Sequence, residues 1–139
     1  MTINEIQDQI IREFSGFQDE FKKYEHIVKT GKCHQVDDAN LRTEEHLIPG
    51  CQSNAWLKAQ LQNGKLFFTA DSEALITRGI IALLLRVFNN QTPEDIAGAD
   101  LYFIDRIGLA SNLSPSRANG LAAVVKNIKS IAHSQQIIS

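Results

Sequence analysis

A chain of 139 residues, 43% apolar and 22% charged, is long enough for one ordinary domain with its own hydrophobic core and leaves no room for a long disordered tract. Fourteen basic residues against sixteen acidic ones, a formal charge of −2, exclude the broad positive field that holds a nucleic-acid backbone or an anionic membrane. Neither partner is expected, and residues 1–139 read as a single domain without repeats, low-complexity runs or Pro/Gly/Ser linkers.

The opening residues, Met1-Thr2-Ile3-Asn4-Glu5, lack the basic stretch leading into an apolar one that marks a secretory signal, so a cytoplasmic location is expected. Thr2 and Glu5 fit a capping box. Behind them Ile3, Ile6, Ile10, Phe14, Phe17, Phe21, Tyr24 and Val28 recur at steps of three and four, which predicts one apolar helical stripe, on one helix or on two broken near Gly16. From Gly31 to Thr43 the pattern dissolves into polar residues and reads as a surface loop carrying Cys33 and His34.

The strand signal is Trp56 to Leu61 and Leu66 to Ala70 around Gln62-Asn63-Gly64-Lys65, since Asn-Gly supplies the two positive φ values of a type I′ hairpin. Pairing Gln62 with Lys65 sets Leu61 against Leu66, Ala59 against Phe68 and Leu57 against Ala70, leaving Lys58, Gln60 and Thr69 on the other face. His46 to Pro49 is expected to add a third strand at an edge, where the missing N–H of Pro49 breaks no ladder. Three more helices are predicted. The first is capped by Asp71 or Ser72 and apolar through Leu75, Ile76, Ile80, Leu83, Leu84 and Val87; Arg78, Gly79 and Arg86 interrupt it, and it is too short to cross roughly 30 Å of hydrocarbon. Thr92-Pro93-Glu94-Asp95 opens a short helix, and Ser114-Pro115 opens the last, with Leu121, Val124, Val125, Ile128 and Ile131 inward and Lys126 and Lys129 outward. The fold class is therefore α+β, a small antiparallel sheet of about three strands packed against helices.

Residues able to carry chemistry are few. There is no GxSxG elbow, no Gly-rich phosphate loop and no HExxH pair. Cys33, Cys51 and four scattered histidines lack the spacing of a zinc site, so neither a metal nor a resident cofactor is expected. Both cysteines are expected as free thiols. Cys33-His34 reads as two solvated polar positions, because consecutive side chains seldom face each other. Cys51 sits in Ile48-Pro49-Gly50-Cys51-Gln52-Ser53, a turn in which a glycine lets another backbone approach. That context admits a reactive thiol or a small buried hydrophobe, and spacing alone does not separate them.

The segment Gly50-Cys51-Gln52-Ser53-Asn54-Ala55-Trp56 resembles the GCQSxxW signature of the SufE-type sulfur acceptors of iron–sulfur assembly. The resemblance continues through Ala70-Asp71-Ser72, Arg78-Gly79-Ile80-Ile81-Ala82-Leu83-Leu84, Thr92-Pro93-Glu94-Asp95-Ile96 and Leu113-Ser114-Pro115-Ser116-Arg117-Ala118-Asn119-Gly120-Leu121, the last similar to the family's LSPSRxNGL stretch. Toward the N-terminus Tyr24 and Gly31 fit, whereas Thr30 stands for a leucine, His34-Gln35 for Leu-Pro, Phe17 or nothing for a tryptophan, and Ala55 for a common valine. The resemblance implies a fold like that of the IscU scaffold and a protein that is not itself an enzyme. It implies that Cys51 takes sulfur from the persulfide of a desulfurase of the SufS or CsdA kind, stimulates it and passes sulfur to downstream Fe–S scaffold proteins. Pyridoxal phosphate would reside on the desulfurase alone. Arg117 is a candidate contact for the persulfide or the partner, and Trp56 is expected to pack. Two alternatives stay distinct: a regulator acting by docking alone, which would survive Cys51→Ser, and an IscU-like cluster scaffold, which normally needs three cysteines where this chain has two.

Overall fold

The apolar stripe of the N-terminal third folds, in the computed structural model, as two helices, α1 (Ile3–Ser15) and α2 (Glu20–Cys33). The structure describes residues 1–38, 40–50, 54–108 and 115–138, excepting the side chains of 116, 117 and 136–138. Thr2 and Glu5 form the expected capping box, each side chain accepting from the other's backbone N–H at 3.1 and 3.0 Å. Gly16 ends α1, and Asp19 opens α2 by accepting the Lys22 N–H at 2.8 Å.

Helix α2 continues through Gly31 to Cys33, past the point where a loop is expected to begin. The cause is tertiary. A Cβ on Gly31 would lie 2.5 Å from the Leu75 carbonyl oxygen, and one on Gly79 would lie 2.2 Å from that of Ile27. Two glycines thus let α2 and α3 (Leu75–Phe88) cross backbone to backbone, and this contact outweighs the weak helix propensity of Gly31.

Strands β1 (Ala55–Gln62) and β2 (Lys65–Ser72) pair antiparallel in the predicted register, with Leu61 opposite Leu66, Ala59 opposite Phe68 and Leu57 opposite Ala70. Asn63 at φ 53° and Gly64 at φ 79° make the turn, as a type I′ hairpin requires. The expected third strand is a correction. Glu44–His46 is a 3₁₀ turn, and beyond it the chain contributes one bridge, Leu47 to Trp56, with the Ile48 N–H donating to the Ala55 carbonyl at 2.8 Å. Pairing stops there because Pro49 has no donor and Gly50 turns away at φ 91°. Among the described residues the sheet therefore has two strands.

The outer edge of β2 is occupied by groups that are not a strand. Leu66 exchanges backbone hydrogen bonds with Asn90 and Gln91 at 2.9 Å each. Asn89 presents its carboxamide to Phe68 as a peptide would, accepting from the N–H at 2.7 Å and donating to the carbonyl at 3.4 Å. His34 donates from Nε2 to the Ala70 carbonyl at 2.8 Å. These contacts cover an edge that would otherwise invite another chain.

Neither Asp71 nor Ser72 is the N-cap residue of α3, because β2 runs on to Ser72 and the helix starts after Ala74. Ser72 Oγ still accepts the Ala74 N–H, at 3.2 Å, while Asp71 turns to two arginines. Ile76, Ile80, Leu83, Leu84 and Val87 of α3 are buried in the core with Leu57, Leu66, Phe68 and Ala70 of the hairpin. Four helices follow the sheet among the described residues, one more than expected: α3, α4 (Pro93–Ala97), the single turn α5 (Phe103–Arg106), too short to show a period, and α6 (Pro115–Ile138). Thr92 caps α4 as expected. On α6, Leu121, Val124 and Ile128 are buried and Lys126 is exposed, but Lys129 folds back to donate to the Ala99 carbonyl at the end of α4.

Gln7 is the polar residue that joins the two ends of this core. Fully buried, it donates to the Asp100 carbonyl at 3.0 Å and accepts from the Tyr102 and Phe103 N–H groups at 2.9 and 3.2 Å. Gln7→Leu keeps the volume and strands those three backbone groups, so it is expected to cost about 2–4 kcal/mol in urea unfolding. A loss under about 1 kcal/mol would mean that water replaces the carboxamide.

Candidate functional site

Cys51, Gln52 and Ser53 lie outside the described residues, as do Leu113, Ser114 and the side chain of Arg117. The structure does describe the frame on either side of the cysteine motif. Upstream, Leu41 is fully buried and Arg42 directs both Nε and Nη2 to Asp71 Oδ2, at 3.0 and 2.5 Å. The same Nη2 reaches the Val36 carbonyl at 3.3 Å. Downstream, the Asn54 carbonyl accepts from the Glu73 N–H at 3.0 Å and from Ser72 Oγ at 3.2 Å, and its carboxamide donates to Glu73 at 3.3 Å. Asp71, Ser72 and Glu73, consecutive at the end of the hairpin, therefore hold both sides of the segment that contains Cys51.

Asp71 is the one buried carboxylate of this corner among the described residues. From α3, Arg78 Nε stands 2.9 Å from its Oδ1, yet the guanidinium N–H groups are aimed at the Ser72 carbonyl, at 3.3 and 3.2 Å. Oδ1 is consequently neutralised by charge without receiving a hydrogen bond. A second tether lies nearby, where Lys58 of β1 meets Asp38 at 2.9 Å. The hydrogen bond from Lys58, together with a smaller one from the Asn40 N–H, holds the Asp38 carboxyl below its ordinary range. Its folded pKa being depressed, this tether contributes at neutral pH and is lost as pH falls through the folded value.

Gly50 rests on α6, where a Cβ would meet that of Ala123 at 3.4 Å. Pro49 and Gly50 line an open groove of about 470 Å³ with Asn119, Ala123, Lys126 and Asn127. The groove sets the Lys126 ammonium on the same surface as Gly50, and an ammonium favours a thiolate when near one, while the Asn127 carboxamide is committed to the Ala123 carbonyl at 2.8 Å.

Cys33 is an exposed free thiol at the end of α2. Its neighbour His34 is half-buried, not solvated: the ring is engaged by β2, and because a carbonyl only accepts, Nε2 carries the proton. Trp56 is buried and bridges Leu47. Among the described residues no three His, Cys, Asp or Glu side chains gather as metal ligands, and no helix is long and apolar enough to cross a membrane. Arg42 is the site residue that sequence reasoning misses altogether. Asp71 and Arg78 stand inside matched motifs, so their importance is visible in the sequence although their partnership is not.

Known proteins give this frame its context. The chain is 35% identical over 127 residues to an uncharacterised SufE-like protein of Rhizobium etli, covering 88% of this chain and 86% of the relative. It is 31% identical over 129 residues to an uncharacterised SufE-like protein of Synechocystis, covering 93% and 81%. The solution structure of a hypothetical protein from Thermus thermophilus shares the fold, with a TM-score of 0.75 at 16% identity over 93% of this chain and 94% of that one. The SufE family model, described as an Fe-S metabolism associated domain, matches residues 8–132. The chain belongs to the SufE family, and its role lies in Fe–S metabolism.

Proposed function

We propose that this chain is a cytoplasmic sulfur acceptor that takes persulfide sulfur from a cysteine desulfurase onto Cys51, stimulates that desulfurase and relays the sulfur to Fe–S cluster assembly. The observation that carries the reading is Gly50-Cys51-Gln52-Ser53 standing intact in a SufE-family chain. The chemistry is thiol exchange. The Cys51 thiolate attacks the outer sulfur of the desulfurase persulfide, a new S–S bond forms, the old one breaks, and the desulfurase leaves as a thiolate; no net oxidation occurs. The chain's part is to present sulfur in a fixed place and as the anion, since a thiol near its reference pKa of about 8.5 is mostly protonated at neutral pH. Lys126 in the groove that Gly50 lines supports that role, as do the anchored residues on both sides of the motif. Pyridoxal phosphate belongs to the desulfurase, and this chain needs no cofactor of its own.

The test is intact mass after mixing the protein with a desulfurase and cysteine. Addition of one or more sulfur atoms, removed by a reductant and localised to the Cys51 peptide, is the expected result. No addition beside desulfurases shown to be active would overturn the acceptor reading and leave regulation by docking.

A further inference from the structure

The core uses only part of the apolar stripe that the sequence writes across the N-terminal third. On α1, Ile3, Ile10 and Phe14 are buried. On α2 the buried positions are Ile27 and Gly31, because the close crossing with α3 decides which side of α2 faces inward. The continuation of the stripe is thereby turned outward: Phe21 is 71% exposed, Tyr24 44% exposed, and Val28 half-buried. At steps of three and four these residues form one column on the helix surface. Single exposed apolar side chains are ordinary, but two aromatic rings one turn apart make a patch.

A second column runs beside the first. Lys22, Glu25, Lys29 and Lys32 are all exposed and also recur at steps of three and four. Helix α2 carries four lysines against two glutamates in a chain whose net charge is −2. An apolar column flanked by a basic one is the complement of an amphipathic helix whose apolar seam is flanked by acidic residues. Its C-terminal end lies toward the frame of the cysteine motif: Gly31 meets Leu75 of α3, and Asp71 to Glu73, shortly before Leu75 in the chain, bond residues on both sides of that motif. From Phe21 to Lys32 is about 16 Å of helix, within the span of one protein interface of ordinary size. We infer that this face of α2 docks an acidic, apolar-seamed helix of the desulfurase, an inference that rests on the sulfur-acceptor reading. Phe21 and Tyr24 supply the anchors that become buried, and Lys22, Lys29 and Lys32 steer the encounter and fix its orientation.

The experiment measures binding of the full chain to an immobilised desulfurase by biolayer interferometry, with thermal melts and sedimentation velocity of each variant alone. Phe21→Ser with Tyr24→Ser is expected to weaken binding about tenfold and to leave Tm within about 2 °C of the parent, since neither ring is buried. Lys29→Glu with Lys32→Glu is expected to weaken binding about tenfold in about 50 mM salt and only about twofold in about 500 mM, because screening removes most of a surface attraction. Binding within about twofold of the parent for both variants would overturn the inference. So would a parent that sediments as a dimer and that Phe21→Ser with Tyr24→Ser turns into a monomer, since a second copy then takes the face. Should the serine variant fail to fold, the lysine variant decides by the same outcomes. Weakened binding beside a parent that takes up no sulfur by intact mass upholds the docking face and sinks the acceptor reading. Sulfur uptake by the parent with unchanged binding of the variants does the reverse, so the two failures are distinguishable.

Discussion

Cys51→Ser is expected to abolish sulfur uptake and return a stimulated desulfurase to its own rate, whereas Cys33→Ser retains both within about twofold. The contrast follows from chemistry more than from packing. A serine hydroxyl keeps the shape of a thiol but cannot accept a sulfane sulfur, and its ionisation lies far above neutral pH, so no thiolate-like nucleophile remains. Cys33 is exposed at the end of α2, its neighbouring imidazole is committed to the Ala70 carbonyl, and it stands outside the motifs quoted for the resemblance. Intact mass reads uptake, and cysteine-dependent sulfide release reads stimulation. Loss of uptake with stimulation preserved in Cys51→Ser would replace the carrier with a regulator that acts by docking. Uptake lost in Cys33→Ser and kept in Cys51→Ser would overturn the assignment of the acceptor thiol.

The hairpin is legible in the sequence because its signals are local. Asn63-Gly64 dictates the turn, the turn dictates the register, and the period of two then assigns every side chain to a face, as the observed pairing bears out. The caps at Thr2 and Thr92 are legible for the same reason, since each is decided within four residues. The departures share an opposite cause. Residues 31–43 read as a loop because the apolar period stops there, whereas the close crossing with Gly79, far along the chain, keeps Gly31 helical. Asp71 reads as a helix cap because a carboxylate before an apolar run usually is one, and nothing local announces that Arg42 will claim it across 29 positions. Lys129 is placed outward by its period, but its long side chain reaches the Ala99 carbonyl, just past α4. His46 to Pro49 has the composition of a strand, and Pro49 with Gly50 limits it to one bridge. The cysteine motif is legible as a resemblance alone, since no spacing rule distinguishes a lone reactive thiol from a lone buried one.

Gly79→Ala is expected to destabilise the protein by about 3 kcal/mol, lowering Tm by roughly 10 °C, although the same change in an ordinary helix interior would be stabilising. Two effects oppose each other at this position. Alanine restricts the unfolded chain and favours helix, a gain of about 0.5–1 kcal/mol. Against it, the new Cβ would stand 2.2 Å from the Ile27 carbonyl oxygen and 2.8 Å from its Cγ2. The carbonyl oxygen is backbone, part of α2, and cannot rotate aside as a side-chain tip would. Relief therefore requires α2 and α3 to separate, and that separation loosens a core containing Ile27, Ile76 and Ile80. Gly31→Ala meets the Leu75 carbonyl oxygen at 2.5 Å and should behave alike. Because either methyl group forces the same separation, the double variant should cost less than the sum of the two. Gly16→Ala supplies the control: its Cβ finds no atom closer than 3.8 Å and its backbone is already right-handed helical at φ −74°, so it should be neutral or slightly stabilising in the same melts. If Gly79→Ala proved as stable as Gly16→Ala, the close crossing of α2 and α3 would be wrong, and with it the reason that α2 runs on through Gly31 to Cys33.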